Sequence, residues 1–199
     1  TCLEKVPANS GLGTSGALRT AYLVVSNPEL CEDKMELLKR VNVFENAIIG
    51  QRAGLQDQAA AIFGGVNFWE FKKDGKIRRV EIEKRKARHL QDRIVIIFTG
   101  SRHQSSDVHE SVFRAENFMK QVTNINKMKL LAKKMAENID NEHVMGSLIC
   151  ETWELQKKLH SGMETENMRK LQEIGNGNYL GARATGAGGG GCMIFYTRN

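Results

Sequence analysis

The sequence predicts an α+β protein built as two units, and three observations carry that prediction. Short runs of apolar residues with strand-like patterning occur at Phe68–Phe71, Ile77–Glu83 and Arg93–Thr99, the period of a half-buried or buried strand. After Ser106 the period changes: Phe118, Val122, Ile125, Met128, Leu131, Met135 and Ile139 step by three or four and lay one stripe along a long helix. These elements do not alternate as regular βαβ winding would, so two α+β units fit better than a doubly wound parallel sheet.

Taken in order, the first helix opens out of a glycine cluster and covers Ala17 to Val25, and Pro28 ends it, since proline removes a donor and clashes with the preceding turn. A second helix is expected from about Asp33 to Ile49. Lys73-Asp74-Gly75-Lys76 reads as the turn between the first two strands. Beyond the long helix, another covers about Glu142 to Leu159 with Trp153 and Leu155 inside it. The tail is a glycine loop, Gly186 to Gly191, leading into a buried strand over Cys192–Tyr196. The methionines and tryptophans on the helices are assigned to the core.

Composition narrows the class. The chain has 199 residues, 41% hydrophobic and 26% charged, enough for one large or two small domains and unlike a disordered chain. No apolar run approaches the roughly 20 residues of a membrane span. No secretory signal is visible, although the sequence opens at Thr1. The four cysteines, Cys2, Cys31, Cys150 and Cys192, form no CxxC pair and no zinc-ligand spacing, so a reducing, cytoplasmic setting is expected.

The net charge is +6, and ten basic against four acidic residues between Lys72 and Arg93 carry all of it. That stretch has the alternation of a hairpin and few aromatics to stack on bases. It is read as solvated hairpin surface, with no nucleic-acid or membrane partner expected.

Two segments match G-x-G-x-x-G: Gly11-Leu12-Gly13-Thr14-Ser15-Gly16 and Gly186-Ala187-Gly188-Gly189-Gly190-Gly191. A dinucleotide fold needs a strand before the loop and a second strand ending in an acid about 20 residues on. Glu32, Asp33 and Glu36 stand instead around a helix start, and neither loop continues into the Gly-Lys-Ser/Thr of a Walker loop. What remains is physical: a glycine segment at a helix start offers free N–H groups and a helix dipole to a phosphate. Thr14 and Ser15 add hydroxyls that can bond phosphate or ligate Mg²⁺. A glycine-rich turn with an N-capping hydroxyl is the alternative.

Asp57 stands in the mostly uncharged run Gly54–Gly65, with Glu45 twelve positions earlier on the expected second helix. A hydroxyl, a carboxylate for a metal and a carboxylate near an acceptor hydroxyl are the parts phosphoryl transfer uses.

These residues resemble the GHMP family of small-molecule kinases. Pro7-Ala8-Asn9-Ser10-Gly11-Leu12-Gly13-Thr14-Ser15-Gly16-Ala17 is similar to the family's phosphate loop, and Thr185 to Cys192 to its C-terminal glycine motif. Gln56-Asp57-Gln58 with Gly64-Gly65-Val66-Asn67-Phe68, and Trp153 to Leu159 followed by Ser161-Gly162, look like the sugar-1-kinase branch that acts on D-glycero-D-manno-heptose 7-phosphate. The resemblance implies a partial N-terminal domain like ribosomal protein S5 domain 2 over 1–90 and a ferredoxin-like α+β domain over 91–199. It also implies that the family's opening N-terminal portion is absent, leaving apolar surface uncovered.

Carried over residue by residue, the resemblance implies ATP and Mg²⁺ as cofactors. Ser15 and Glu45 would ligate the metal, and Asp57 would accept the proton of the attacking sugar hydroxyl. Gly11, Leu12, Gly13, Thr14, Ser15 and Gly16 would hold the ATP phosphates, with Gly186, Gly188 and Gly189 bracing that loop. Arg102 is the candidate cation for a phosphate on the sugar. Fucose, galactose or mannose as acceptor, and an inactive nucleotide-binding relative, are the alternatives. Three positions depart from the family's pattern: Asn9 for a usual Gly, Gly16 for a usual Ser or Ala, and Leu55 for a Lys.

Overall fold

The computed structural model describes residues 6–7, 9–50, 53–101 and 115–198. The chain divides into two compact units, one over Gly13–Ile82 and one formed by Thr1–Leu12 with Glu83–Asn199. Among the described residues no helix is long and apolar enough to cross a membrane.

The unit Gly13–Ile82 is helical with a hairpin appended. Helix α1 runs Thr14–Ser26, a single 3₁₀ turn follows at Pro28–Cys31, and α2 runs Lys34–Val43. Asp33 caps α2, its Oδ1 accepting from the N–H groups of Met35 and Glu36 at 2.9 and 3.0 Å. Helix α2 buries Leu37, Leu38 and Val41 and then widens into a π turn over Phe44–Ile48. Helix α3 spans Gln56–Phe63. Strands β1 (Asn67–Phe71) and β2 (Ile77–Glu81) form the antiparallel hairpin foreseen from the alternation, with Phe71 opposite Ile77.

Helix α1 starts three residues before the expected Ala17, directly on the loop. It leaves Leu18, Tyr22 and Val25 largely exposed. Helix α3 was not legible in the sequence: it is short, made mostly of small residues, and buries only Gln58 and Ala59.

The other unit is a three-stranded antiparallel sheet with helices packed on it. Its elements are α4 (Lys84–Gln91), β3 (Ile94–Phe98), α5 (Ala115–Glu137), α6 (Glu142–Lys157), a 3₁₀ turn at Ser161–Met163, α7 (Glu166–Ile174), β4 (Tyr179–Ala184) and β5 (Cys192–Thr197). The strand order is β3-β5-β4, with Ile96 opposite Ile194 and Ala182 opposite Phe195. Trp153, Met168, Ala182, Ala184, Met193 and Phe195 form its main core; Trp153 and Met145 are core as expected from the helices, whereas Met119 is exposed, contrary to that expectation. Helix α6 crosses β4 at glycine on both sides: a Cβ on Gly181 would lie 2.5 Å from the Gly146 carbonyl oxygen. The long apolar stripe is real, with Met128, Leu131 and Met135 of α5 packed on Leu148 and Leu155 of α6.

Three elements of this unit were not read from the sequence. Helix α4 carries Lys84, Arg85, Lys86, Arg88 and His89 and only Ala87 and Leu90 as apolar residues, so charge masks its period. Helix α7 follows a Thr165 cap, whose Oγ1 accepts from the Met168 N–H. Strand β4 is interrupted by Gly181 and Arg183. In the Lys72–Arg93 stretch, much of the positive charge is paired: Arg78 with Glu70, Arg79 with Glu81, Lys86 with Asp140 and Arg93 with Glu142.

Candidate active site

In the unit Gly13–Ile82, the second half of the first glycine motif is the N-terminus of α1. Gly13 is its cap residue at φ 69°, makes no side-chain cap, and is followed by a first turn without an acid of its own. Thr14 and Ser15 are exposed there. The N–H groups of a first helical turn and the positive end of the helix dipole suit this turn to an anion.

Asp57 sits in the first turn of α3, exposed, and lies against that turn. A Cβ on Gly13 would stand 3.3 Å from Asp57 Cγ, and one on Gly16 would stand 3.2 Å from Asp57 Cβ. The departure from Ser or Ala at Gly16 thus accompanies a close approach of α1 to α3.

Glu45 lies on the π turn, fully buried, in the kind of helical irregularity that often marks functional sites. Arg19 Nη1 donates to its Oε1 at 2.8 Å, and Gln58 Nε2 donates to its Oε2. Gln58 is the neighbour of Asp57. Arg19 stands one turn beyond Ser15, on the same face of α1. The structure therefore brings Asp57 to Gly13 and Gly16, and ties Glu45 to the residues beside Asp57 and Ser15. Arg19 and Gln58 were missed in the sequence; the signal was that Arg19 is the one charged residue of α1, and a lone cation on an otherwise uncharged helix needs an acid elsewhere.

The same contacts test the fit of a metal. A buried carboxylate requires a counter-charge, and the Arg19 guanidinium now occupies the cationic position at Glu45, one helical turn from the Ser15 hydroxyl. The oxygen donors are of the hard kind that Mg²⁺ takes. Both Glu45 oxygens are already bonded, Oε1 by Arg19 and Oε2 by Gln58, so a cation at Glu45 would have to displace Arg19.

In the other unit, Ser10 and Gly11 lie against the C-terminal glycine loop that joins β4 to β5. The Ser10 carbonyl accepts from Cys192 N–H at 2.7 Å and from Thr185 Oγ1 at 3.1 Å. A Cβ on Gly186 would meet the Gly11 carbonyl oxygen at 3.3 Å. Gly191 combines φ +78° with a Ser10 oxygen 2.6 Å from the place of a Cβ, so only glycine fits. Gly188 and Gly189 turn elsewhere: Gly189 N–H donates to the Met163 carbonyl at 2.7 Å, and Gly188 packs on the same oxygen. Asn9 adopts φ 58°, which accounts for its standing where the family has glycine, because asparagine tolerates the left-handed region best among side chains. Leu12 is exposed. Arg102 lies outside the described residues.

One α+β unit thus packs a carboxylate on the glycine turn that opens α1, and the other packs Ser10 and Gly11 on a second glycine loop. Residues 1–65 match the family described as GHMP kinases N terminal domain. It is 31% identical to D-glycero-alpha-D-manno-heptose 7-phosphate kinase of Campylobacter jejuni over 96% of this chain and 58% of that protein. It is 29% identical to bifunctional fucokinase/GDP-fucose pyrophosphorylase of Arabidopsis thaliana over 98% of this chain and 19% of that protein. Among solved structures, mevalonate kinase of Methanococcus jannaschii superposes with a TM-score of 0.70 at 28% identity, over 97% of this chain and 58% of that one. The chain thus spans little more than half the length of the first relative and a fifth of the second.

Proposed function

We propose that this chain carries the phosphoryl-transfer residues of an ATP-dependent sugar kinase that phosphorylates the anomeric hydroxyl of D-glycero-D-manno-heptose 7-phosphate. The observation that carries the reading is the packing of Asp57 against Gly13 and Gly16, which sets a carboxylate beside the turn suited to phosphate. The name of the Campylobacter relative supports the choice of sugar.

In this reading the ATP phosphates lie along Gly11–Gly16, held by backbone N–H groups, the dipole of α1 and the Thr14 hydroxyl. Asp57 accepts the proton of the sugar hydroxyl as its oxygen bonds the γ-phosphorus, and the bond to the β-phosphate oxygen breaks to release ADP. Ser15 and Glu45 would hold Mg²⁺, which would supply charge neutralisation at the transferred group. Gly186 keeps Gly11 in place, with Gly188 and Gly189 completing the supporting loop. Arg102 takes the phosphate that the sugar already carries. A division at about residue 90 accompanies this reading, near Glu83, where the chain re-enters the sheet-bearing unit. The cytoplasm is its setting.

A second reading, a fucokinase-like acceptor without a phosphate, is favoured by the similarity to the Arabidopsis protein over 98% of this chain. Phosphoryl transfer from Mg-ATP to heptose 7-phosphate, fucose, galactose and mannose separates the two. Transfer confined to the heptose phosphate supports the first reading; transfer to fucose replaces it with the second; ATP binding without transfer to any sugar removes both.

A further inference from the structure

One buried amide joins the C-terminal glycine loop to a charge that the site described above does not use. Gln156, on α6, is 4% exposed. Its Oε1 accepts from Arg183 Nη2 at 3.0 Å, and its Nε2 donates to the Gly186 carbonyl at 3.0 Å. The same Nε2 lies 3.5 Å from where a Cβ on Gly188 would stand. The amide therefore bonds the loop at Gly186 and lies beside Gly188.

Arg183, on β4, is an unusual residue to find there. Its other hydrogen bond runs from Nε to the Ala184 carbonyl at 3.3 Å, and no carboxylate among the described residues pairs with it. Burial without a counter-charge lowers its pKa from the ordinary arginine value. Such a cation is a poor device for stability, since an apolar side chain of similar volume packs without the desolvation cost. It does impose direction. A guanidinium has donors and no acceptor, so the Gln156 amide can meet it only through Oε1, and Nε2 is then left facing Gly186. Were the amide reversed, an N–H would face a guanidinium and a carbonyl would face a carbonyl.

We propose that Arg183 and Gln156 are positioning residues: Arg183 orients the Gln156 amide, and Gln156 holds the Gly186–Gly191 loop against Gly11, which sets nucleotide-phosphate affinity. The last clause rests on the reading given under Proposed function; the positioning itself does not.

Gln156→Glu separates the two roles of the amide. The carboxylate keeps an acceptor for Arg183, now with opposite charge, but loses the donor to the Gly186 carbonyl. Amide hydrogen exchange of the ligand-free full chain reports the loop through Gly189, Gly191 and Cys192, whose N–H groups donate to Met163, Ser101 and Ser10. Gln156→Glu is expected to leave the melting temperature unchanged or raise it, to speed exchange at these amides about tenfold, and to weaken Mg-ADP binding about tenfold. Arg183→Met is expected to speed the same amides, and Arg183→Lys to restore them in part. Exchange in Gln156→Glu equal to the wild type overturns the positioning role. Faster exchange with unchanged Mg-ADP affinity overturns its link to nucleotide. Faster exchange in a chain whose wild type binds no Mg-ADP upholds the positioning and removes the kinase reading instead.

Discussion

Asp57 packs directly on Gly13, the residue that opens α1: a Cβ placed on Gly13 would stand 3.3 Å from Asp57 Cγ. The glycine thus does two things at once. It takes the left-handed conformation at φ 69° that starts the helix, and it leaves room for the carboxylate beside the first turn. Any side chain at this position pushes on Asp57.

Gly13→Ala is therefore expected to cost about 1–2 kcal/mol for the left-handed backbone and, by displacing Asp57, to lower turnover roughly tenfold or more. Gly50→Ala is the matched control, since Gly50 has φ +73° with nothing within 4 Å of its would-be Cβ. It is expected to lose similar stability without loss of turnover. Chemical denaturation and steady-state kinetics on both variants check this.

The Arg19–Glu45 pair gives a second prediction. Glu45 is fully buried and Arg19 is 19% exposed, so Arg19→Met leaves a buried carboxylate with only Gln58, at an expected cost of about 3 kcal/mol. A divalent cation can then take the vacated position. Thermal melts with and without Mg²⁺ are expected to show a larger rise in melting temperature for the variant than for the wild type. Equal rises in the two proteins contradict a cation position at Glu45.

Tyr196 is fully buried in the sheet-bearing unit, and its hydroxyl has no partner among the described residues. Tyr196→Phe is expected to be neutral or to stabilise by about 1 kcal/mol, because it removes an unsatisfied polar atom. Burial raises the Tyr196 pKa above the ordinary tyrosine value, as it raises those of Tyr179 and Cys192. The folded chain keeps these protons where the unfolded chain loses them, so their contribution is complete at neutral pH. It is lost as pH rises past about 9 for the thiol and about 10 for the tyrosines. Denaturation midpoints measured from pH 7 to 11 are expected to fall in that window, less steeply for Tyr196→Phe.

Much of this was legible in the sequence. The glycine cluster at 11–16 announced a helix start, and the spacing of Met128, Leu131 and Met135 announced the α5 stripe, because each element carries its own period. Helices α3 and α4 and strand β4 carried none that survives their composition: small residues flatten the first, charge masks the second, and Gly181 and Arg183 break the third. Asp57 could be singled out as an acid in a mostly uncharged run, and Glu45 by its place twelve positions earlier. Their partners could not, since Arg19 and Gln58 reach Glu45 over 26 and 13 positions, and only tertiary packing fixes such pairs. The role of Asn9 likewise became clear only from its backbone angle.

The central claim, that Asp57 takes the proton of the attacking hydroxyl, is tested most directly by Asp57→Asn. Asparagine keeps the shape and loses the base. With Mg-ATP and heptose 7-phosphate, the variant is expected to bind ATP as the wild type does and to lose turnover by about 10²- to 10⁴-fold. Turnover equal to the wild type at equal ATP affinity contradicts the assignment.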